Sequence, residues 1–409
     1  MQFFEDLASE LYTAWMTSER DELAFPALAQ SMLERFAPAS AIKLDDLFRW
    51  VVTTDRLPKQ FDPRSRFGNF ALTVATRDDF HIDVLVWTDS TTAIHQHNFS
   101  GAFHVLHGSS LQTLWSFKES RRWSDRLKRG QLTVRVTELL RTGSTRPILP
   151  GPAMIHSLFH LESPSVTVVV RTPSSALGAP QLSYQRSGLA YDPHFDLDRV
   201  EKVRQLLCLA WGSGHPQREA LSEAAISGID AHSATRIISS IGSQTPADTA
   251  GRLIDVLAER DPELAALLRE TVSRAERDRR LVDLRKQTRS PRHRMLLALV
   301  LNLPDRDSID SVLRQIAPGE SPDNWLWDTI RSMHDTPGQQ PDRKSVLGFA
   351  LNEASEQALK MLLRGHSIDE VARAIAGHDD LVEDARALCS TLSAMPVLSP
   401  LLEPRLTPA

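Results

Sequence analysis

Two histidines one residue apart, His95 and His97, constrain this chain more than any other feature, because a third histidine, His156, follows in a second strand-like segment. Successive side chains of a β-strand point to opposite faces, so His-x-His directs two imidazoles to the same side. A third imidazole from a distant strand can then meet them at one metal ion. Neutral imidazole suits several divalent ions, and these residues alone fit iron, nickel, zinc, manganese or copper.

The residues around the histidines resemble the two sequence motifs of the cupin superfamily. The first cupin motif runs His-x-His, usually a Glu, and then a Gly. Here Gly108 lies at that final glycine, and Gly101 lies where many cupins carry a ligating Glu. The second motif has the form Pro-x-Gly followed by His, and Pro150, Gly151 and His156 approximate it with Pro and Gly adjacent. The resemblance implies a small β-barrel whose metal has three histidine ligands.

Among cupins, the three-histidine pattern is similar to the thiol dioxygenases, the cysteine dioxygenase-like group, over about residues 45–180. The resemblance implies one ferrous ion per chain, held by His95, His97 and His156, with the remaining positions open to substrate and dioxygen. It therefore favours an iron-dependent oxygenase.

The residues that hold the substrate in that group are replaced here. The group's carboxylate-binding Arg falls at Phe70, and its Ser, His and Tyr fall at Thr167, Val169 and Arg171. We therefore expect a thiol or another small, carrier-bound or peptide-bound substrate rather than free cysteine. Thr167 keeps a hydroxyl, and Arg171 could replace the missing Arg from another wall. His160, four residues after the last ligand, is a third candidate, either as a partner of the ligands or as a surface residue.

Polar side chains near the motifs are candidates for fixing the tautomers of the ligand imidazoles. The alternative is that they are ordinary polar strand surface. These candidates are Gln96, Asn98, Ser100, Gln112 and Thr167.

The periodicity of apolar residues divides the chain into three parts and predicts an α+β fold. Residues 1–50 repeat apolar positions at helical spacing, which predicts two or three helices that cap the barrel. Residues 51–190 contain short runs rich in β-branched and aromatic residues, typical of a jelly-roll barrel. Residues 191–409 return to helical spacing and predict an all-helical domain.

One charged stretch, residues 118–131, interrupts the strand pattern of the predicted barrel. It carries six basic residues and Trp123. It could be a lid or a contact for an anionic substrate, but a solvated hairpin loop is the favoured interpretation.

A second segment, residues 365–392, has the short helices and small-residue turn of a helix-turn-helix unit. No basic recognition face is evident in it, and Ser367 with Glu370 fits a capping box. A packing role or contact with a protein partner is favoured over DNA binding.

Composition excludes several classes of function. A net charge of −5 argues against general binding to nucleic acid or anionic membranes. Two distant cysteines, Cys208 and Cys389, indicate neither a disulfide framework nor a zinc ribbon. The N-terminal residues lack the basic and apolar regions of a signal peptide, so a cytoplasmic location is expected.

Two functions compete at this stage. The first is a non-haem iron oxygenase whose helical domain shapes the substrate entrance or docks a partner. The second is a non-catalytic metal- or ligand-binding cupin sensor whose helical domain contacts a protein or DNA. A metal-dependent isomerase or lyase also stays open, because one fold hosts many chemistries.

Overall fold

The structure is a computed structural model of the 409-residue chain. It describes residues 1–65, 67–89, 91–175, 178, 180–195, 197–241, 247–336, 347, 349 and 351–402.

Helices precede the strands, as the apolar spacing predicted. They are Gln2–Thr17 (α1), Phe25–Phe36 (α2), Pro38–Ala41 (α3) and Leu44–Thr53 (α4). The described chain thus has four helices before the strands, one more than the largest number predicted. The extra helix, α3, is a single turn that starts at Pro38 directly after α2, and a segment of four residues shows no apolar period.

The strands then follow within the described ranges. They are Phe70–Thr76 (β1), His81–Trp87 (β2), Thr91–His97 (β3), Gly101–His107 (β4), Ser109–Ser124 (β5), Leu127–Arg141 (β6), Thr145–Ile148 (β7), Gly151–His160 (β8), Ser165–Arg171 (β9), Ser183–Tyr184 (β10) and Leu189–Tyr191 (β11).

The strands form two sheets that face each other. The first has the order β1-β2-β9-β4-β7, and the second, β10-β11-β6-β5-β8-β3, closes on itself because β3 pairs with β10. Apolar side chains from both sheets, such as Leu85 and Phe103 from the first and Leu140 and Met154 from the second, form one buried cluster between them. The fold is thus a β-barrel of two sheets with N-terminal helices and a C-terminal helical region, which confirms the predicted fold class.

The N-terminal helices cover the outer face of the first sheet. Phe4, Leu7 and Leu11 of α1 share a buried cluster with Val84 of β2 and Val168 of β9. These valines alternate with the inward-facing Leu85 and Val169, as the two-residue period of a strand requires. Both faces of the first sheet are therefore buried, which explains its nearly continuous apolar runs.

Helices make up the described chain after the barrel. They are Asp198–Gly212 (α5), Arg218–Ser227 (α6), Ala231–Ile241 (α7), Ala247–Ala258 (α8), Pro262–Lys286 (α9), Pro291–Asn302 (α10), Arg306–Ile316 (α11), Pro322–Asp335 (α12), Glu353–Leu363 (α13), Ile368–Ala376 (α14), Val382–Ser393 (α15) and Ser399–Leu402 (α16). No helix in these ranges combines the length and apolarity needed to cross a membrane.

The helical region packs directly on the barrel. Leu111 and Phe159 from the barrel lie in the same buried cluster as the core of α10–α15. Two buried arginines add polar contacts, since Arg285 donates to the carbonyl of His160 and Arg294 donates to the carbonyl of Leu161. The strand that carries His156 is thereby attached to the helices at its end.

The predicted capping box is present. The Ser367 hydroxyl accepts from the backbone N–H of Glu370, and the Glu370 carboxylate accepts from the backbone N–H of Ser367. Helices α14 and α15 pack against each other beside α13.

The charged stretch at 118–131 is not a loop, which corrects the favoured interpretation. It forms the outer halves of β5 and β6, which stay paired as far as Ser124 and Leu127. Its charges pair within the stretch, as Arg122 and Lys128 do with Glu119, or with the helical region, as Arg121 and Arg129 do with Glu263 of α9. The strands continue because backbone pairing needs no apolar side chain once the ribbon leaves the core.

Candidate metal centre

The three predicted ligand histidines meet on one inner face of the barrel. His95 of β3 and His156 of β8 lie directly opposite each other in register, which places their side chains on the same face. His97 follows two residues after His95, and the ring centroids of the three imidazoles lie 4.6, 4.7 and 4.9 Å apart. All three side chains are buried. Residues 59 positions apart in sequence are thus brought to one point by the β3–β8 pairing.

The nitrogens of this cluster are arranged as ligands of one ion would be. One nitrogen from each ring lies within 4.8 Å of the others. The Nε2 atoms of His95 and His97 are 3.1 Å apart. Two imidazoles bound side by side at about 2.1 Å from a metal ion would hold their nitrogens about 3 Å apart. Among the described residues, this is the one group of three or more histidine, cysteine or acidic side chains whose ligand atoms lie close enough together to hold a metal ion.

Backbone contacts, not the proposed polar side chains, fix the one tautomer that is determined. The Nδ1–H of His95 donates to the carbonyl oxygen of Ala93 at 2.8 Å, which leaves the Nε2 lone pair free for a metal. The Nδ1 atoms of His97 and His156 are buried without a hydrogen-bond partner in the described chain. Among the described residues, none of the five polar candidates bonds to these rings; Gln96, for example, contacts Pro180 and Tyr184.

Burial keeps the three imidazoles neutral. It lowers the pKa of His95, and it lowers the pKa values of His97 and His156 well below their usual range. Mutual repulsion adds to this effect, and the positive charge of Arg171 lowers the pKa of His97 further. A neutral imidazole offers a lone pair to a metal, whereas a protonated one cannot. The donor set therefore fits a borderline divalent ion such as ferrous iron.

No side chain can occupy the position where many cupins place a ligating Glu. A Cβ atom at Gly101 would lie 2.0 Å from the carbonyl oxygen of Val170 on β9, so the backbone of β9 fills the space. Gly101 pairs across from Arg171 in that strand. The three-histidine character of the cluster follows from this close approach of two strands.

The histidine cluster lines a mostly apolar cavity. Its walls come from both sheets and include Phe67, Leu85, Trp87, Phe99, Phe103, Ile148, Leu158 and Val169. Two hydroxyls interrupt the apolar lining. Thr167 accepts a hydrogen bond of 3.4 Å from the indole of Trp87, and the hydroxyl oxygen of Thr92 is buried without a hydrogen-bond partner in the described chain.

The structure separates the three other predicted site residues. Thr167 lines the cavity, and Arg171 follows on the same face of β9 but lies in a neighbouring cavity. The Arg171 guanidinium pairs with Asp83 at 3.1 Å and lies 5.0 Å from the ring centroid of Phe99. His160 is outside the cluster: its ring stacks on Trp87, and its Nδ1 contacts the Ser110 hydroxyl at 2.8 Å. The catalytic roles given to these residues stay predictions.

Sequence reasoning missed three contributors to the site. Thr92 and the Ala93 carbonyl lie two or three residues before the motif, and only the irregular pairing of β3 with β8 brings them to it. Asp83 lies on the inward face of β2, two residues before Leu85. The alternation of β2 could have shown that Asp83 points inward. Phe70, aligned with the dioxygenases' Arg, instead packs on the side of the N-terminal helices.

The likenesses to solved structures named here each cover less than a third of this chain. No model of a known protein family matches the sequence, and no curated protein matches it significantly. Solved structures that resemble part of the chain include a cupin-2 domain containing protein from Shewanella frigidimarina NCIMB 400, at 13% identity over 32% of this chain and 93% of that one, with a TM-score of 0.20. Hydroquinone 1,2-dioxygenase from Sphingomonas sp. TTNP3 is 12% identical over 26% and 68%, with a TM-score of 0.21. A conserved protein with a double-stranded β-helix domain from Klebsiella pneumoniae is 16% identical over 29% and 84%, with a TM-score of 0.19. Likenesses of this size carry no argument about the metal or the reaction of this chain.

Proposed function

We propose that the protein is a mononuclear non-haem iron oxygenase of the cupin type. The observation that carries the proposal is the cluster of three buried, neutral imidazoles, His95, His97 and His156, facing one point beside a cavity. A ferrous ion bound there would supply the activation of dioxygen toward the bound substrate. Three neutral ligands leave the full charge of the ion available to an anionic donor such as a thiolate.

The apolar walls have a clear role in this proposal. Phe67, Phe99 and Phe103 exclude water from the space beside the histidines, which strengthens every electrostatic interaction inside it. The hydroxyls of Thr92 and Thr167 are the polar points against which a substrate can be oriented. The indole of Trp87 holds Thr167 in place.

The same walls support a substrate other than free cysteine. In the described chain, no guanidinium or ammonium group lines the cavity, so a cysteine carboxylate would be buried there without a partner. Arg171 is held by Asp83 and lines a neighbouring, more open cavity, which shares Phe67 and Phe99 with the first. A substrate with an apolar reacting group and a larger extension, such as a carrier-bound or peptide-bound molecule, fits this arrangement. The helical region could dock the partner that delivers it.

The first test is the identity and stoichiometry of the bound metal. Elemental mass spectrometry on tag-free protein, purified without oxygen, should find near one iron per chain. A His97→Ala variant should lose the metal. A His107→Ala variant should retain it, because His107 is exposed at the end of β4 and outside the cluster.

Oxygen consumption provides the functional readout. With the iron form, an oxygen electrode should record uptake that depends on a substrate from a panel of apolar thiols, apolar alcohols and peptide-bound thiols. Absence of metal after reconstitution with ferrous ion would overturn the proposal. Equal iron in the His97→Ala variant would overturn the assignment of the ligands.

A further inference from the structure

A second cavity lies at the seam between the barrel and the helical region, on the other side of the second sheet from the histidines. Trp115 and Leu132 line it from the barrel, and Leu303, Pro304 and Pro400 line it from the helices. We refer to it as the seam cavity.

Charged groups in the seam cavity are mostly positive. Arg186, Arg274 and Arg277 line it together with one carboxylate, Asp278. Arg274 pairs with Glu270 at the surface of α9, and Arg277 donates to the carbonyl of Pro396 and lies 3.5 Å from Asp278. Two of the three arginines therefore already have partners.

Arg186 is different. It lies in the turn between β10 and β11, where its side chain is partly buried, and its guanidinium makes no hydrogen bond or ion pair with any residue of the described ranges. Burial lowers its pKa to about 10, so it stays charged at neutral pH. A guanidinium has five N–H donors in a planar fork, and those of Arg186 have no hydrogen-bond partner in the described chain, although the nearby Asp278 carboxylate attracts its charge. An oxyanion is the group that best satisfies that fork.

The wall beside Arg186 is rigid and aromatic. The Arg186 guanidinium carbon lies 6.0 Å from the ring centroid of Trp115. The indole N–H of Trp115 donates to the Ser157 hydroxyl at 3.1 Å, and Ser157 donates to Asn302 of α10 at 3.0 Å. This chain of bonds fixes the indole, so a ligand meets a preformed apolar surface next to the charge.

We infer that the seam cavity binds a small organic oxyanion, a carboxylate or a phosphate ester, whose charged group contacts Arg186 and whose apolar body lies against Trp115 and Leu132. The site does not depend on the metal centre, since none of the three histidines lines it. A ligand there would touch both the barrel and the helices.

Isothermal titration calorimetry with three probes tests the inference on the full chain. Benzoate and phenyl phosphate share an aromatic ring and differ in the oxyanion, and benzyl alcohol has the ring without charge. We expect saturable binding of benzoate, phenyl phosphate or both at one site per chain, with benzyl alcohol at least roughly tenfold weaker. The stronger of the two anions identifies the class.

Variants locate the site. Arg186→Gln should weaken binding by roughly tenfold to a hundredfold, the loss associated with hydrogen bonds to a charged group. Arg279→Gln, an exposed arginine on the same helix as Arg274 and Arg277, should leave the affinity within about twofold, the small change expected for an exposed surface charge. His97→Ala should retain binding, which separates this site from the metal cavity.

Several results would overturn the inference. They are no saturable binding of either anion to the wild type, equal affinity for benzyl alcohol, or undiminished binding in Arg186→Gln. If the Gln variant does not fold, Arg186→Met decides the matter, because it keeps much of the apolar stem and removes the charge. Undiminished binding in that variant overturns the role of Arg186.

Discussion

Replacing Arg294 by Met should lower the free energy of unfolding more than any surface change of charge. Its side chain is 1% exposed and donates three hydrogen bonds. They go to the carbonyl of Thr288 at 2.9 Å, the carbonyl of Leu161 at 3.2 Å and Asp89 Oδ1 at 2.9 Å. The side chain therefore connects the start of α10 to the barrel just after β8.

The magnitude follows from what the substitution leaves behind. Met fills much of the space of the arginine stem, but two carbonyls on buried residues lose a donor, at about 1–3 kcal/mol each. Asp89 is 30% exposed and can be hydrated, so losing its hydrogen bond from Arg294 costs less. The substitution also removes the desolvation penalty of the buried guanidinium, which offsets part of the lost stability. The expected net loss is about 2–5 kcal/mol.

Arg289→Met is the matched control, because Arg289 lies 3.6 Å from the same Asp89 oxygen but is 72% exposed. An exposed pair contributes about 0–1 kcal/mol. Equilibrium urea unfolding, followed by circular dichroism, measures both variants. With an m-value of about 3 kcal/mol/M, Arg294→Met should lower the midpoint by about 1 M. Coincident midpoints for the two variants would refute the reasoning.

Three further predictions concern the barrel and the cap of α14. Gly101→Ala should cost at least about 1–3 kcal/mol in urea unfolding, since its Cβ would overlap the backbone of β9 and overpacking is destabilising; an unchanged midpoint would contradict this. Burial lowers the pKa of His160 to about 3. Below about pH 6.5, His160 is therefore protonated in the unfolded chain but stays neutral in the folded chain. Stability is therefore lost as pH falls from about 6.5 toward 3, and His160→Gln should reduce the pH dependence of the unfolding free energy by up to about 1.4 kcal/mol per pH unit. The same loss of stability between pH 6 and pH 5 in the variant and the wild type would contradict this. Ser367→Ala should weaken α14 by about 1 kcal/mol, visible as faster amide hydrogen exchange there, while Ser367→Asp should preserve protection.

The barrel could be predicted from sequence because its strands obey a simple rule. The runs around Leu85 and Val169 are short, rich in β-branched residues and apolar almost throughout, which is typical of strands buried on both faces. The paired strands around Trp123 lack this apolar pattern. They are held by backbone hydrogen bonds and by Glu263 of a helix 140 residues away. Solvent-exposed strands carry no apolar signature, so composition alone predicted a loop.

The candidate site divides in the same way. His95, His97 and His156 could be predicted because strand alternation and a known motif spacing place them together. Thr92 could not, since its position depends on a bulge and a cross-strand register that no local pattern encodes, whereas the alternation of β2 could have placed Asp83 on the inward face. Arg186 was missed for a different reason: its surroundings come from α9 and α10, far along the chain.

The direct pairing of His95 with His156 has a consequence for how long each copy of the protein survives. An ion bound to both would cross-link the ends of a segment of roughly sixty residues, so metal binding and folding are coupled. The pairing of β3 with β8 is irregular on both sides of His95, so β3 should detach first when the metal is missing. Copies without metal would then expose β3 to proteases, and degradation would enrich the cell in loaded protein.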